Sequence, residues 1–371
     1  MSFVPFDLEE WQSRYETSVA YNLADSGVRA VRLEELVPDP GAVAGLLGLT
    51  LHYPPVGGTD ALRRLIGDWH GADSGNVLVT VGAAEANAIS VATLVRPGDQ
   101  VVVMEPGYRQ VRGCALNAGA SVDCFPLDPA CGWRPDLDTL DAVVTPATRL
   151  IAVTNPNNPV GTVLTEDEMD AVVATAERVG AWILADEVYR GTERLTETVT
   201  PSFFGRYARV VCVGSLSKAF GLPGLRLGWL VAPPDLVQDA WRRYEYATIS
   251  TGVLSMYLAE MALEPQLRRR LLGRTRALIR DGYARLEDWI DASPGLVSIN
   301  PPEATGLGFV RYQLDVPSLE VANLLRTDAD VLVGAGAHFG IEQHLRLAIG
   351  LEPAYLDAAL QRVSAVMATI R

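Results

Sequence analysis

Short apolar runs recur along the first half of this chain. Residues 77–81, 100–104, 150–154, 181–185 and 209–213 are each rich in Val, Ile, Leu or Ala, and 121–125 holds Val, Cys and Phe; Gly, Pro, Asn or Asp lie near most of their ends. Runs of this length and content read as buried strands. Between them the apolar positions shift to spacings of three and four, which predicts helices over 83–94 and 108–117. Strands alternating with helices predict an α/β fold, a mostly parallel sheet covered by helices on both faces. Upstream, Leu8, Trp11, Tyr15 and Val19 predict an amphipathic helix over 7–21. Leu62, Leu65, Ile66 and Trp69 predict another over 60–70. Beyond Pro234 the pattern is helical to about residue 292, with a break expected at Glu264-Pro265. Strands over 296–300 and 308–314 and a helix over 318–326 then suggest a smaller α+β unit. The expected organisation is an N-terminal arm over 1–30, a large domain over 31–245 and a small C-terminal domain over 246–371. No repeat or low-complexity tract interrupts it.

Residues that carry chemistry gather after the strands, at the carboxyl ends where parallel sheets bind ligands. The run 209–213 leads into Ser215-Leu216-Ser217-Lys218, and Arg226 follows in a Gly-rich stretch. A lysine can form a Schiff base with an aldehyde, while hydroxyls and a bidentate arginine can bind a phosphate. Pyridoxal 5'-phosphate (PLP) is a ligand with both groups. The plainer reading is a solvated lysine in a flexible loop. Asp186 ends the run 181–185, and Tyr189 lies three residues on. The protonated PLP ring needs such a carboxylate beside its nitrogen, and a tyrosine there can reach the ring hydroxyl. Asn155-Pro156-Asn157-Asn158-Pro159 forms a turn that can present Asn158 to the same oxygen. An Asp at a strand end also serves as a helix cap, and an Asn-Pro often makes only a turn. Val81-Gly82-Ala83-Ala84 opens a helix, where free amides suit a phosphate. Tyr108 follows a tight turn and can stack on a ring or simply fill the core. Arg346 sits alone in an apolar strand-like run and needs an anion, either a structural partner or a ligand.

The Asn-Pro-Asn-Asn-Pro-Val-Gly, Asp-Glu-Val-Tyr and Ser-Leu-Ser-Lys…Arg-Leu-Gly segments together resemble a fold-type I PLP-dependent enzyme of the class I/II aminotransferase superfamily. The likeness runs from about residue 30 to the end. Gly-Leu-Pro-Gly-Leu-Arg-Leu-Gly after the lysine is similar to histidinol-phosphate and related aminotransferases. The resemblance implies that Lys218 holds PLP, that Asp186 and Tyr108 complete the catalytic set, and that Ala83, Ala84, Asn158, Tyr189, Ser215, Ser217 and Arg226 bind the cofactor. It implies that Tyr53 reaches the phosphate of a neighbouring subunit, so that a homodimer shares its sites. It implies that Arg346, with Gly27 and Asn158, holds the substrate carboxylate. The implied reaction moves an amino group from an L-amino acid to a 2-oxo acid, with Lys218 as general base. The implied N-terminal arm packs on the small domain or on a partner subunit; an ordinary surface helix is the plainer reading. One segment departs from the aminotransferase pattern. Leu23-Ala24-Asp25-Ser26-Gly27-Val28-Arg29 replaces the usual Gly-Glu-Pro-like turn and resembles capreomycidine synthase-type enzymes of antibiotic biosynthesis. Those act on arginine derivatives by elimination and cyclisation. Asp25 or nearby Glu residues would then recognise a cationic side chain, unless Asp25 is only a cap. A non-catalytic PLP-binding sensor is a third reading, set against the lack of a spare DNA-binding segment.

Composition narrows the partners. The chain has 371 residues, 49% hydrophobic and 20% charged, with a net charge of −14. That charge argues against nucleic acid and anionic membrane surfaces. The apolar stretches are too short for a membrane span. The four cysteines form no Cys-x-x-Cys pair and the four histidines no ligand spacing, so neither a disulfide framework nor a metal site is expected. The N-terminus lacks a signal-peptide pattern. A cytoplasmic protein is expected.

Overall fold

The computed structural model describes residues 3–370; Met1, Ser2 and Arg371, at the outer ends of the expected arm and small domain, lie outside the described residues. The chain opens with α1 (Asp7–Tyr15), β1 (Tyr21–Asn22), α2 (Leu33–Leu36), α3 (Pro40–Leu47) and α4 (Asp60–His70). Next come β2 (Val77–Thr80), α5 (Gly82–Leu94), β3 (Gln100–Glu105), α6 (Gln110–Asn117), β4 (Ser121–Asp128), β5 (Arg134–Pro135) and α7 (Leu137–Val143). They are followed by β6 (Thr148–Thr154), α8 (Glu166–Val179), β7 (Trp182–Asp186), β8 (Val210–Ser215) and β9 (Gly228–Val231). Three helices, α9 (Pro234–Tyr244), α10 (Val253–Leu263) and α11 (Pro265–Asp291), lead into β10 (Val297–Ile299), β11 (Leu307–Tyr312), α12 (Ser318–Asp328), β12 (Val331–Leu332), β13 (Gly334–Ala335), β14 (His344–Ala348) and α13 (Pro353–Met367).

The large sheet has eight strands in the order β2-β9-β8-β7-β6-β3-β4-β5. Its middle, from β4 to β8, is parallel; β9 and β5 run antiparallel to their neighbours. Successive strand residues enter opposite cores. Ile151, Val153, Ile183, Ala185, Val210 and Cys212 pack on one face, and Leu150, Ala152, Leu184, Val211 and Val213 on the other. Burial on both faces is why these strands read as continuous apolar runs. The small sheet is antiparallel, in the order β10-β11-β14-β13.

Several boundaries differ from the sequence reading. The first helix stops at Tyr15 rather than 21, because Ser18 takes the Tyr15 carbonyl with both its backbone N–H (3.0 Å) and its hydroxyl (2.9 Å). The helix expected from 108 begins at Gln110, leaving Tyr108 in the turn. The helical stretch after Pro234 breaks at Glu264 and also between Tyr244 and Val253. Packing changes hands inside α11, not at residue 245. Leu271 and Leu272 belong to the large core with α10, while Tyr283 and Leu286 belong to the small one. One unbroken helix crosses the boundary, so no linker marks it. The arm is divided too. Leu8 packs in the large core, whereas β1 pairs in parallel with β12 and Leu23 enters the small core.

Candidate active site

A cavity of about 610 Å³ opens at the carboxyl ends of β6, β7 and β8. The start of α5 forms its floor, and α1 with the segment Asp25-Ser26 forms its roof. Ala83, Ala84, Tyr108, Asn158, Asp186, Tyr189, Ser215, Ser217, Lys218 and Arg226 all line it. Ten sequence candidates spread over 144 positions are thus brought to one place.

Lys218 Nζ donates to Ser26 Oγ at 2.6 Å. Burial pushes the lysine pKa down, while the Asp25 carboxylate works against it. A desolvated amine is the nucleophilic form. Lys218 is also the only lysine in the chain, against thirty arginines. Where arginine serves as the cation everywhere else, a lone lysine marks a position that needs a titratable amine. Asp186 closes β7 and is buried. Its carboxylate accepts from Asn87 Nδ2 at 2.9 Å and from the Val188 N–H at 3.2 Å. Burial raises its pKa, opposed by those two bonds. A cation against it would restore the charged form.

The phosphate end is built from glycine contacts and free amides. The N-cap of α5, Val81, offers no capping side chain, so the first-turn N–H groups face the cavity end uncapped. Gly82 has φ +80, and a Cβ there would stand 2.6 Å from an Arg226 guanidinium nitrogen. A Cβ on Gly228 would stand 2.5 Å from Ala83 N. Only glycine lets Arg226 and β9 approach this helix start. Ser215 Oγ accepts from the Ser217 N–H at 3.2 Å, beside it. A helix N-terminus, two hydroxyls and a guanidinium at one end, an amine in the middle and a buried carboxylate at the other form a donor set that fits PLP. Asn87 Oδ1, buried on the cavity wall, has no hydrogen-bond partner among the described residues and is left for a bound group.

A family model for aminotransferase class I and II matches residues 25–363. The chain belongs to that family. It is 32% identical over 370 residues to capreomycidine synthase of Streptomyces vinaceus, covering 98% of this chain and 93% of that protein. It is 30% identical over 339 residues to the arginine–pyruvate transaminase of Pseudomonas aeruginosa, covering 87% and 84%. A solved PLP-dependent aminotransferase from Streptococcus suis superposes with a TM-score of 0.92 at 32% identity, over 100% of this chain and 99% of that one. The protein is a fold-type I PLP-dependent aminotransferase, its cofactor is PLP, and the family's substrates are an amino acid and a 2-oxo acid.

Three sequence candidates stand off the cavity wall. Arg346 is 0% exposed; it donates to Asn158 Oδ1 at 3.1 Å and to the Ala24 carbonyl, just behind the wall. Gly27 is buried, its N–H bound to Asp25 Oδ1 at 3.0 Å. Tyr53 is 88% exposed on the loop after α3 and does not reach the cavity of its own chain. Tyr189 donates its hydroxyl to the Ser26 carbonyl at 3.0 Å, and burial raises its pKa. The motif reading missed Ser26, Asn87, Gln110, Thr154, the α1 residues Glu9 and Gln12, and Glu16 at the C-cap of α1, all on the wall. Asn87 had a signal, as a lone amide in the apolar helix 83–94. The α1 residues had none, because an exposed polar face looks the same whether it meets solvent or a cavity. Among the described residues there is no cluster of potential metal ligands and no helix long and apolar enough to cross a membrane.

Proposed function

We propose that this cavity transfers the α-amino group of an L-amino acid to a 2-oxo acid in a cytoplasmic homodimer, with Lys218 as the cofactor's anchor and the proton carrier. The observation that carries the reading is the sole lysine, lining one cavity with Asp186 and the uncapped start of α5. When bound, PLP supplies an electron sink for negative charge at the substrate α-carbon. Asp186 keeps the ring nitrogen protonated, and Asn87 fixes that carboxylate. Ala83, Ala84, Ser215, Ser217 and Arg226 hold the phosphate. Tyr108 packs on the ring, and Asn158 and Tyr189 serve its hydroxyl. Arg346 takes the substrate carboxylate with Gly27 and Asn158. Lys218, freed of its anchor role, accepts the α-proton and returns it. Free cysteines, with no disulfide among them, suit a reducing compartment. Exposed Leu47, Leu51, Tyr53 and Leu254 support a second copy on that side, since α3 and α10 approach one another at Gly45 and Tyr257.

Full-length identity to capreomycidine synthase favours a second reading, elimination or cyclisation from the same carbanion. The test is product analysis by mass spectrometry with and without a 2-oxo acid. Multiple turnovers only with the acceptor are expected. Ammonia release or a cyclised product without it would replace transamination by the second reading. Borohydride reduction is expected to fix PLP on the Lys218 peptide; a label on the amino-terminal peptide instead would overturn the assignment of the anchor.

A further inference from the structure

Among the described residues one group meets the Lys218 amine. It is the Ser26 hydroxyl, which accepts from Nζ at 2.6 Å. Lys218 forms no ion pair among the described residues. Asp25, Glu9 and Asp186 reach its amine only through their fields, and Arg226 and Arg346 oppose them in the same way. Ser26 lines the cavity beside the lysine, and its own hydroxyl proton goes to no acceptor among the described residues.

Ser26 is brought there by a segment fastened on both sides of it. Leu23 donates its N–H to the Leu332 carbonyl and accepts from the Ala348 N–H, both at 2.8 Å, which anchors the segment on the small core. The Ala24 carbonyl takes Gln12 Nε2 at 2.6 Å and Arg346. Tyr189 donates its hydroxyl to the Ser26 carbonyl at 3.0 Å, and Asp25 Oδ1 accepts the Gly27 N–H at 3.0 Å. Val28 is buried against Gly350, where a Cβ would stand 2.5 Å from Val28 Cγ1, and the Arg29 N–H donates to the Gly350 carbonyl at 2.7 Å. The backbone that carries Ser26 is therefore set before its side chain meets Lys218, which arrives from the loop after β8. A lysine on a flexible four-carbon stem gains most from such a fixed partner.

A hydroxyl suits this place better than a carboxylate. A base that takes the α-proton starts as the neutral amine, and an ion pair would hold it as the ammonium. A hydroxyl accepts an N–H from either form and adds no charge. From this contact we propose that Ser26 is a positioning residue for Lys218: its hydroxyl holds one N–H of the free amine and leaves the nitrogen lone pair aimed into the cavity. The inference rests on the proposed role of Lys218 as proton carrier. In that step the bond from the α-carbon to hydrogen breaks, an N–H bond forms at Nζ, and the electron pair stays with the substrate carbon. Ser26 keeps its own proton throughout.

Lys218 is the only lysine, so an amine reagent such as acetic anhydride reports on one side chain, with the amino terminus on a separate peptide. Full-length wild type, Ser26→Ala and Ser26→Thr are labelled across a range of pH, with and without PLP. PLP is expected to block the label in the wild type. Without PLP, Ser26→Ala should lower the pH of half-maximal labelling by about one unit, because the ammonium form loses its acceptor, and Ser26→Thr should keep the wild-type value. The loaded enzymes are also incubated in heavy water with each of the common L-amino acids, and deuterium at the α-carbon is read by proton NMR. Exchange should be about tenfold slower in Ser26→Ala and within about twofold of wild type in Ser26→Thr. Alanine removes one oxygen and leaves the backbone ties of the segment in place. An unshifted half-labelling pH in Ser26→Ala overturns the inference, as does undiminished exchange, or a threonine variant that behaves like alanine. Each of these leaves the proposed function standing as long as PLP blocks the label. Labelling that PLP does not block, or no exchange with any amino acid, overturns the proposed function, and the inference with it.

Discussion

Asp186 and Arg346 pose opposite electrostatic problems. Asp186 is a carboxylate whose burial favours the neutral form, so a cationic ring nitrogen against it would complete a pair. Asp186→Asn removes the charge and keeps the shape, so the rate should fall by about a hundredfold or more, ~3 kcal/mol of barrier. Steady-state kinetics of the loaded variant check this; a loss of only a few-fold would make the residue a helix cap. Arg346 is a cation whose burial is offset by Asn158 and the Ala24 carbonyl. Arg346→Ala should raise the KM for amino acids by one to two orders of magnitude while PLP affinity, read by dialysis, changes little. His338 is titrated by its surroundings in a way that pH can reveal. Burial pushes its pKa down to about 4, with Arg346 and Arg109 adding to the shift and Asp7 opposing it. The folded value lies below the unfolded one, near 6.5. Its contribution is therefore complete above pH 6.5 and is lost as pH falls from 6.5 toward 4, where only the unfolded chain takes up the proton. About 2 kcal/mol should go between pH 6.5 and 5. Melting temperatures at pH 7 and 5 should fall further apart in the wild type than in His338→Gln; equal differences would contradict the shift.

At the scale of elements, α11 carries the join between the two cores. Its Gly282 lies so close to the end of β14 that a Cβ would stand 1.8 Å from the Ile349 carbonyl oxygen. That atom is backbone and cannot swing aside, so Gly282→Ala should cost about 3 kcal/mol or more, or prevent folding. Gly273, nine residues earlier in the same helix, has nothing within 4 Å of its Cβ position. Gly273→Ala should gain about 0.5–1 kcal/mol by relieving a helical glycine. Urea unfolding of the pair separates helix propensity from close approach. The contrast also shows why a glycine in a helical pattern is hard to interpret from sequence. Both read as the same mild defect, and only the neighbouring strand distinguishes them.

The whole molecule walls the cavity with the large sheet's loops and the N-terminal segment and leaves Tyr53 facing outward. If Tyr53 completes the phosphate site of a partner, Tyr53→Ala and Lys218→Ala homodimers are both impaired, each by a different site defect. Mixed subunits then regain one intact site in the heterodimer. With random mixing the activity should rise to about a quarter of wild type per protomer. Sedimentation of the mixture alongside the assay checks that subunits have exchanged. No gain above the parents after exchange would show that Tyr53 acts within its own chain or not at all.

The sequence by itself determined the family and its cofactor, and it named ten residues that the fold brings to one cavity. Lys218, Asp186, Asn158, Tyr189 and Arg226 sit in short segments whose backbone is set locally, at a strand end or a tight turn, so their spacing carries their meaning. The buried strands were legible for a similar reason, since burial on both faces leaves an unbroken apolar run. Tertiary structure alone decided what meets across the chain. Ser26 reaches Lys218 over 192 positions, Asn87 reaches Asp186 over 99, and Gln12 and Arg346 converge on one carbonyl from opposite ends of the sequence. It also decided that the arm belongs to both cores and that α11 spans them. Such pairings are chosen by how the layers pack, and packing is a property of the folded volume that no local pattern of residues records.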